Sequence, residues 1–101
     1  MPKLYEYFGL ILLFYSNDHY PIHVHGKYQG KESKAEFLII DGCITEIKIL
    51  PVRGKEPLDG KELKKFRAVL DHFKDDIIKK WIDFFVLNKE VKPESINNKL
   101  D

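Results

Sequence analysis

One stripe of apolar side chains near the end of the chain limits its fold more than any other feature. Apolar residues recur there at steps of three or four positions: Leu63, Phe66, Leu70, Phe73, Ile77, Trp81 and Phe84. That spacing is typical of a helix that buries one face. We therefore predict a single long helix over about residues 60–87, with a break near residues 72–73 as the alternative. Phe85 lies off the stripe and is the candidate for an exposed contact.

The start of this helix is marked by its own residues. Asp59 can cap the first turn, and Glu62, three residues later, completes a pattern like a capping box. Leu58 and Leu63 stand at the spacing of a hydrophobic staple. Beyond residue 88 the chain is polar, so we predict one α+β domain over residues 1–88 and a loosely held polar tail over 89–101.

The residues before the helix alternate as β-strands do. The first strand is predicted over residues 4–16, and because both its faces are apolar, it is either a central strand or one whose second face meets another subunit. Three more strands follow over residues 22–29, 33–40 and 44–50, and Asp41-Gly42 is typical of a two-residue hairpin turn between the last two. The sequence therefore predicts an α+β fold, in which a four-stranded antiparallel meander is packed by one long C-terminal helix.

The overall charge does not favour nucleic acid as a partner. The 17 Lys and Arg residues nearly balance the 16 Asp and Glu residues, which leaves a net charge of +1. Only two of the cations are Arg, the residue best suited to contact phosphates. Nucleic-acid binding is therefore the weaker interpretation of the densest basic patch, and a solvated helix face is the stronger one. The patch consists of Arg53, Lys55, Lys61, Lys64, Lys65 and Arg67.

The chain is expected to be cytoplasmic. Cys43 is its single cysteine, so no internal disulfide can form and a reducing compartment is indicated. We interpret this cysteine as inert. The longest apolar run, residues 8–15, is about half the length needed to span a bilayer, so we expect no membrane partner.

Residues 18–25, Asp-His-Tyr-Pro-Ile-His-Val-His, are the stretch that suggests chemistry. On a strand His23 and His25 share one face, which the alternation makes the polar face, and two such imidazoles can point at one zinc ion. His19 lies across a bend and could be a third ligand, while Asp18 could bind the ion or orient a histidine. His19, His23 and His25 are thus candidate catalytic residues. With Asp18 they are candidate ligands of a divalent metal such as zinc.

Two other interpretations of this stretch stay open. The histidines can be ordinary residues of a polar strand face, with Asp18 and His19 in a turn. Alternatively, the histidines could move protons about a phosphodiester without a metal, with Lys27 nearby. Tyr20 and Tyr28 could then stack on bases, although ordinary sheet packing explains both.

The same motifs resemble a bacterial family known as domain of unknown function 4160. Its members open with an aromatic-Gly-aliphatic strand, matched by residues 8–11, and carry an Asp-His-x-Pro-x-His-x-His signature, matched by residues 18–25. The resemblance covers about residues 4–85. Ile22 stands where a second Pro is common, and Gly26 where an aliphatic residue is usual. The other matching residues are Ala35, Gly42, Leu50, Pro51 and Trp81.

The resemblance implies a genetic context and leaves the activity open. Such proteins are small and are often encoded beside another small protein, an arrangement like that of toxin–antitoxin pairs. We therefore expect a binding or interaction module of a two-gene system, which joins its neighbour or a second copy of itself. The alternative is a small, ribonuclease-like hydrolase that uses His19, His23 and His25, with or without a divalent metal.

Overall fold

Six strands form one mixed sheet within residues 2–101, the part of the chain that this computed structural model describes. One long helix packs against the sheet and continues into a turn of π-helix at Ile82–Val86. In chain order the elements are β1 (Lys3–Tyr7), β2 (Leu10–Leu13), β3 (His23–Tyr28), β4 (Lys31–Ile40), β5 (Cys43–Pro51), α1 (Gly60–Trp81) and β6 (Glu94–Ile96).

The α+β class and the C-terminal helix are confirmed, but the four-stranded meander is only partly right. The strands lie in the order β5-β4-β3-β2-β1-β6. Strands β1 to β5 form an antiparallel meander of five, whereas β6 pairs with β1 in parallel. The sheet therefore has two more strands than the alternation predicts.

One extra strand arises because residues 4–16 are a hairpin rather than a single strand. Phe8 and Gly9 both have positive φ, 47° and 88°, as a two-residue turn requires. The turn sets Tyr5 opposite Leu12 and Tyr7 opposite Leu10, and all four side chains are buried. The apolar residues that the prediction placed on two faces of one strand thus lie largely on the inner faces of two neighbouring strands, β1 and β2.

The other extra strand comes from the polar segment 89–101. Residues 94–96 pair with residues 5–7 of β1, so this segment joins the sheet. Tyr7 also fixes its end: the hydroxyl accepts a hydrogen bond from the Leu100 N–H at 2.7 Å and donates one to Asp101. The prediction of a loosely held tail is therefore wrong for these residues.

Of the two alternatives for the helix, the break near residues 72–73 is confirmed. Helix α1 extends from Gly60 to Trp81, but Phe73 has non-helical φ −119° and ψ 16°, which places a kink there. Asp59 precedes the first turn without capping it, since its carboxylate instead accepts a hydrogen bond from Lys31 Nζ at 3.0 Å. Phe85 is half-buried with its ring 4.2 Å from that of Trp81, so it is not the exposed contact that we predicted.

The helix lies close to β3 because one strand residue has no side chain. A β-carbon placed on Gly26 would lie 2.8 Å from the Phe66 ring, closer than real β-carbons approach other atoms. Phe66 is fully buried at this point. The pair thus sets the distance between α1 and the strand that carries His23 and His25. Among residues 2–101, no helix has the length and apolar character needed to cross a membrane.

Candidate functional site

Three of the candidate side chains converge beside the start of β3. Asp18 Oδ1 lies 3.3 Å from His23 Nε2 and 3.6 Å from His25 Nε2. The three atoms all lie within 4.8 Å of one another, so they can face a single ion. His19, the fourth candidate, is exposed and does not belong to this group.

Local structure explains why these three side chains meet. His23 and His25 alternate with Val24 on β3, so their rings project to the same side, with centroids 5.2 Å apart. Asp18 lies in the loop between β2 and β3. Its backbone N–H donates to the Tyr15 carbonyl at 3.0 Å, and its Oδ2 accepts from the Tyr15 N–H at 2.9 Å. These two bonds hold the carboxylate next to the histidines.

The second ring nitrogen of each histidine fixes its orientation. His23 Nδ1 lies 2.8 Å from the carbonyl oxygen of Pro21, and His25 Nδ1 lies 3.0 Å from Glu32 Oε2. We assign a proton to each Nδ1 because both partners are acceptors. Each Nε2 is then the atom that faces Asp18. Histidines that bind metals are commonly oriented by hydrogen bonds of this kind.

Both histidines are buried, although the strand alternation predicts them on a polar face. His23 is 9% exposed and His25 is 7% exposed. The His23 ring lies 5.5 Å from the Trp81 ring, and the His25 ring meets Tyr15 edge-on at 4.5 Å. Burial lowers the pKa of His25 below its ordinary 6.5, although the charge of Asp18 opposes this shift. His25 is therefore neutral at pH 7.

A buried glutamate that the sequence interpretation missed completes the cluster. Glu32 is 1% exposed, and its Oε2 accepts a hydrogen bond from the Tyr15 hydroxyl at 2.9 Å as well as one from His25. Burial, together with this hydrogen bond, raises the pKa of Tyr15 to about 12, so the hydroxyl stays a donor. The pairing of β3 with β4 could have identified Glu32 in the sequence. Glu32 stands opposite Lys27 and therefore diagonal to His25.

The distances and the donor atoms fit a divalent transition metal. Two ligand atoms about 2.1 Å from a tetrahedral ion lie roughly 3.4 Å apart. The contacts of Asp18 Oδ1 with His23 and His25, at 3.3 and 3.6 Å, are close to that separation. Imidazole and carboxylate are ligands of zinc, and two histidines with one carboxylate also suit ferrous iron.

The hydrogen bonding of the cluster is incomplete. His25 Nε2 is buried and has no hydrogen-bond partner. Its 3.6 Å distance from Asp18 Oδ1 is too long for a hydrogen bond. A buried lone pair that faces a carboxylate is unfavourable unless a positive charge lies between the two. A cation bound between Asp18 Oδ1 and the two Nε2 atoms would satisfy this arrangement.

The cluster is reached through a small pocket of about 270 Å³. Lys34 and Glu36 contribute one charge of each sign to its wall, with their charged atoms 3.7 Å apart. His19 also lines the pocket, so it lies near the candidate site without joining it. The lining residues are Asn17, Asp18, His19, Tyr20, Pro21, His23, His25, Lys34 and Glu36.

The residues that the metal-free interpretation adds to the histidines lie apart from one another. Tyr20 is exposed, with its ring 5.9 Å from that of Trp81. Tyr28 is half-buried beneath the ammonium group of Lys65, which lies 5.8 Å from the ring centre. Lys27 lines a different pocket, beside β2. Of these residues, Tyr20 alone lines the histidine pocket.

The basic patch is divided by the fold. Lys61, Lys64 and Lys65 line a pocket together with Lys99. Arg67 lines another one, between α1 and β5. Nucleic-acid binding by this patch stays a prediction, as does the inert role of Cys43, which is exposed.

Comparison with known proteins identifies a family whose function is not characterised. Residues 9–82 match the model of a family described as "Domain of unknown function (DUF4160)". The match includes the histidine cluster, the meander from β2 to β5, and α1, but not β1 or β6. No curated protein and no solved structure matches the chain. Since the match covers more than half of its length, the chain belongs to the DUF4160 family.

Proposed function

We propose that this chain binds one divalent metal ion through Asp18, His23 and His25 and acts as a small metal-dependent hydrolase. The observation that carries the proposal is the Nε2 atom of His25, which is buried, unpartnered and directed at Asp18. Three protein ligands leave coordination positions open, as in catalytic rather than structural zinc sites. A cytoplasmic location, expected from the single cysteine, is part of this proposal.

The chain's own groups would prepare the site for such chemistry. When bound, the ion supplies Lewis-acid chemistry at its open positions. Glu32 and the Pro21 carbonyl hold the two imidazoles in one tautomer, and Trp81 shields one of them from water. Lys34 lines the same pocket, 3.7 Å from Glu36, and would exchange that carboxylate for an anionic substrate. A phosphodiester is the substrate class that this combination suits, in line with the ribonuclease-like alternative.

Metal analysis of the purified protein tests the binding half of the proposal. We expect one equivalent of zinc after dialysis of the wild-type protein against zinc and then buffer. His23→Gln and His25→Gln should each retain less than about a tenth of that, because two ligands hold zinc poorly. His19→Gln is the matched control and should retain the full equivalent. Equal retention by wild-type protein and His25→Gln would contradict the proposed site.

An activity assay tests the hydrolytic half. The zinc-loaded protein should cleave RNA or an activated phosphodiester, and a chelator should stop the reaction. Lys34→Ala should keep its zinc but raise KM, since this lysine is proposed to attract the substrate. If the protein binds zinc stoichiometrically but cleaves neither substrate, the proposed metal site stands and the proposed hydrolase activity is abandoned.

A second candidate function, a binding module in a toxin–antitoxin-like pair, has its own supporting observation. Apolar side chains near the end of the helix are exposed to solvent: Tyr20, Ile82, Val86 and Leu87. Exposed apolar side chains that lie together mark interaction sites. The partner proposed for this surface is the small protein encoded by a neighbouring gene.

Co-expression with that neighbour tests this candidate. The two proteins should purify together, and Ile82→Asp combined with Val86→Asp should separate them. Lys74→Asp, an exposed change on the same helix, is the control and should leave the complex intact. Independent purification of the two wild-type proteins would exclude the neighbour as the occupant of this surface.

A further inference from the structure

The two edges of the sheet differ in length and therefore in what they can bind. β6 forms one edge and has three residues, whereas β5 forms the other and has nine. Very short edge strands are a common protection against pairing with other chains. β5 lacks that protection: along its whole length, β4 is the single strand that pairs with it in residues 2–101.

The side chains of β5 are poorly covered for a strand of this composition. None of its nine residues is buried. Ile44, Ile47 and Ile49 are half-buried against the core and line an open groove between β5 and α1. Glu46 and Lys48 are exposed, and neither takes part in an ion pair within the described chain. The edge thus offers backbone groups, apolar side chains and two free charges.

We propose that β5 pairs in antiparallel fashion with β5 of a second copy, about a two-fold axis at Ile47. In this register Ile47 stands opposite its own copy, and Glu46 stands opposite Lys48 of the second molecule. The symmetry repeats that contact, so each dimer contains two cross-strand pairs of opposite charge. Such pairs stabilise antiparallel strands, whereas like charges directly opposite destabilise them.

The charge pattern selects this register over its neighbours. Moving the axis one residue towards the start of the strand would place Glu46 opposite the second copy's Glu46. Moving it one residue the other way would place Lys48 opposite the second copy's Lys48. The register centred on Ile47 is therefore the one in which β5 complements itself.

The same pairing extends the groove between β5 and α1. A two-fold axis perpendicular to the sheet leaves both helices on one face and joins the two sheets edge to edge. The groove of about 280 Å³ between β5 and α1, lined by Ile47 and Leu70 among others, would then continue across the axis into its own copy. The interface contains none of Asp18, His23 and His25, so it does not depend on the proposed hydrolase activity, although Lys48 stands opposite Glu36 of the histidine pocket.

Two charge-reversal variants of β5, studied separately and then mixed, test the interface. Association on mixing would also show that both variants fold. Sedimentation of the wild-type protein should show a dimer. Glu46→Lys and Lys48→Glu should each raise the dimer Kd by roughly tenfold or more, because each places like charges in both cross-strand pairs. Mixing the two variants should restore association as a heterodimer, since opposite charges then meet again. Glu90→Lys, an exposed change outside β5, should leave the Kd unchanged.

Three results would contradict the proposed β5 dimer. A wild-type protein that stays monomeric at high micromolar concentration would overturn the proposal, and would leave the edge to a strand of a different chain. A wild-type dimer whose Kd ignores both reversals would also overturn it, because association would then use another surface. Failure of the two variants to associate on mixing would reject this register.

Discussion

Two clusters of ionisable side chains in this molecule differ in how completely they are satisfied. In the first, Tyr5 donates a hydrogen bond to Asp76, while Lys80 contacts Asp76 at 3.0 Å and Glu94 at 2.6 Å. In the second, Asp18 and two imidazoles present three acceptor atoms to one point. The first cluster links α1 to β1 and β6, and we call it the Asp76 cluster. We call the second, which consists of Asp18, His23 and His25, the Asp18 cluster.

The difference supports a structural role for the first cluster and the proposed metal-binding role for the second. In the Asp76 cluster every donor meets an acceptor, so it stabilises the fold as it stands. In the Asp18 cluster, acceptors face acceptors, and the His25 Nε2 atom has no partner. A buried atom of this kind needs an explanation, and the metal ion proposed above would supply one. The comparison therefore predicts opposite responses to metal and to mutation.

Metal should produce the largest effect and should act through the Asp18 cluster alone. Free zinc at one hundred times its Kd should stabilise the wild-type protein by about 2.7 kcal/mol, because the folded state binds it and the unfolded state does not. For a domain of this size that raises Tm by roughly 10–20 °C. Thermal unfolding with zinc and with a chelator measures the shift. His19→Gln should keep the shift, and a full shift in His25→Gln would refute the assignment.

Asp76→Ala should produce the next largest effect, and metal should not alter it. The change leaves the buried Tyr5 hydroxyl without its acceptor and removes one partner of Lys80, so we expect a loss of about 1–3 kcal/mol. The urea midpoint of unfolding measures this. Asp75→Ala, at the exposed neighbouring position, should cost less than about 0.5 kcal/mol. Equal midpoints for the two variants would show that the Asp76 cluster contributes nothing to stability.

The two clusters should lose stability in different pH ranges when the protein is free of metal. Burial lowers the pKa of His25 below 6.5, so the unfolded chain takes up that proton first as the pH falls. Stability from this group is thus fully present above pH 6.5 and decreases below it. Unfolding free energies measured between pH 8 and 5 should show this decrease in the wild-type protein but not in His25→Gln.

Asp76 should respond in more acidic solution. Burial raises the pKa of its carboxyl, but the hydrogen bonds from Tyr5 and Lys80 outweigh this and leave the pKa below 3.8. The unfolded carboxylate is therefore protonated first, so the stability from this group is present above pH 3.8 and lost as the pH falls through the folded pKa. Asp76→Asn should lack this acidic step. An unchanged step in that variant would assign it to other carboxyls.

Asp18→Asn should produce the smallest effect in the metal-free protein, and the effect should be favourable. The amide can donate to a histidine Nε2 where the carboxylate could only accept, so we expect a gain of up to about 1 kcal/mol. The same variant should lose the zinc-dependent rise in Tm. Urea unfolding with a chelator present measures the gain, and a loss of stability as large as that of Asp76→Ala would erase the contrast between the clusters.

Local patterns predicted the elements that depend on neighbouring residues. The apolar stripe predicts α1, and the break considered as an alternative near residues 72–73 corresponds to the kink at Phe73. The Asp41-Gly42 turn is confirmed by positive φ at both residues. The alternation of β3 brings His23 and His25 to one side. Each of these features depends on residues close together in the chain, so the sequence displays it directly.

The missed features depend on contacts between distant residues. β6 has no apolar alternation of its own, and its place is set by pairing with β1 and by the contact of Glu94 with Lys80. Glu32 reaches His25 across a hairpin, so its role becomes visible once the register is known. His19 and Asp18 are adjacent in sequence, yet the turn directs Asp18 to the histidines, while His19 stays exposed.

The contact between Gly26 and the Phe66 ring has a consequence for how relatives of this chain can change. A methyl group gained at position 26 would lift the helix unless the ring at position 66 shrank, and lifting the helix would carry Trp81 away from His23. The two positions should therefore covary among homologues. Their combined volume, rather than the identity of either residue, is the quantity that selection should hold constant.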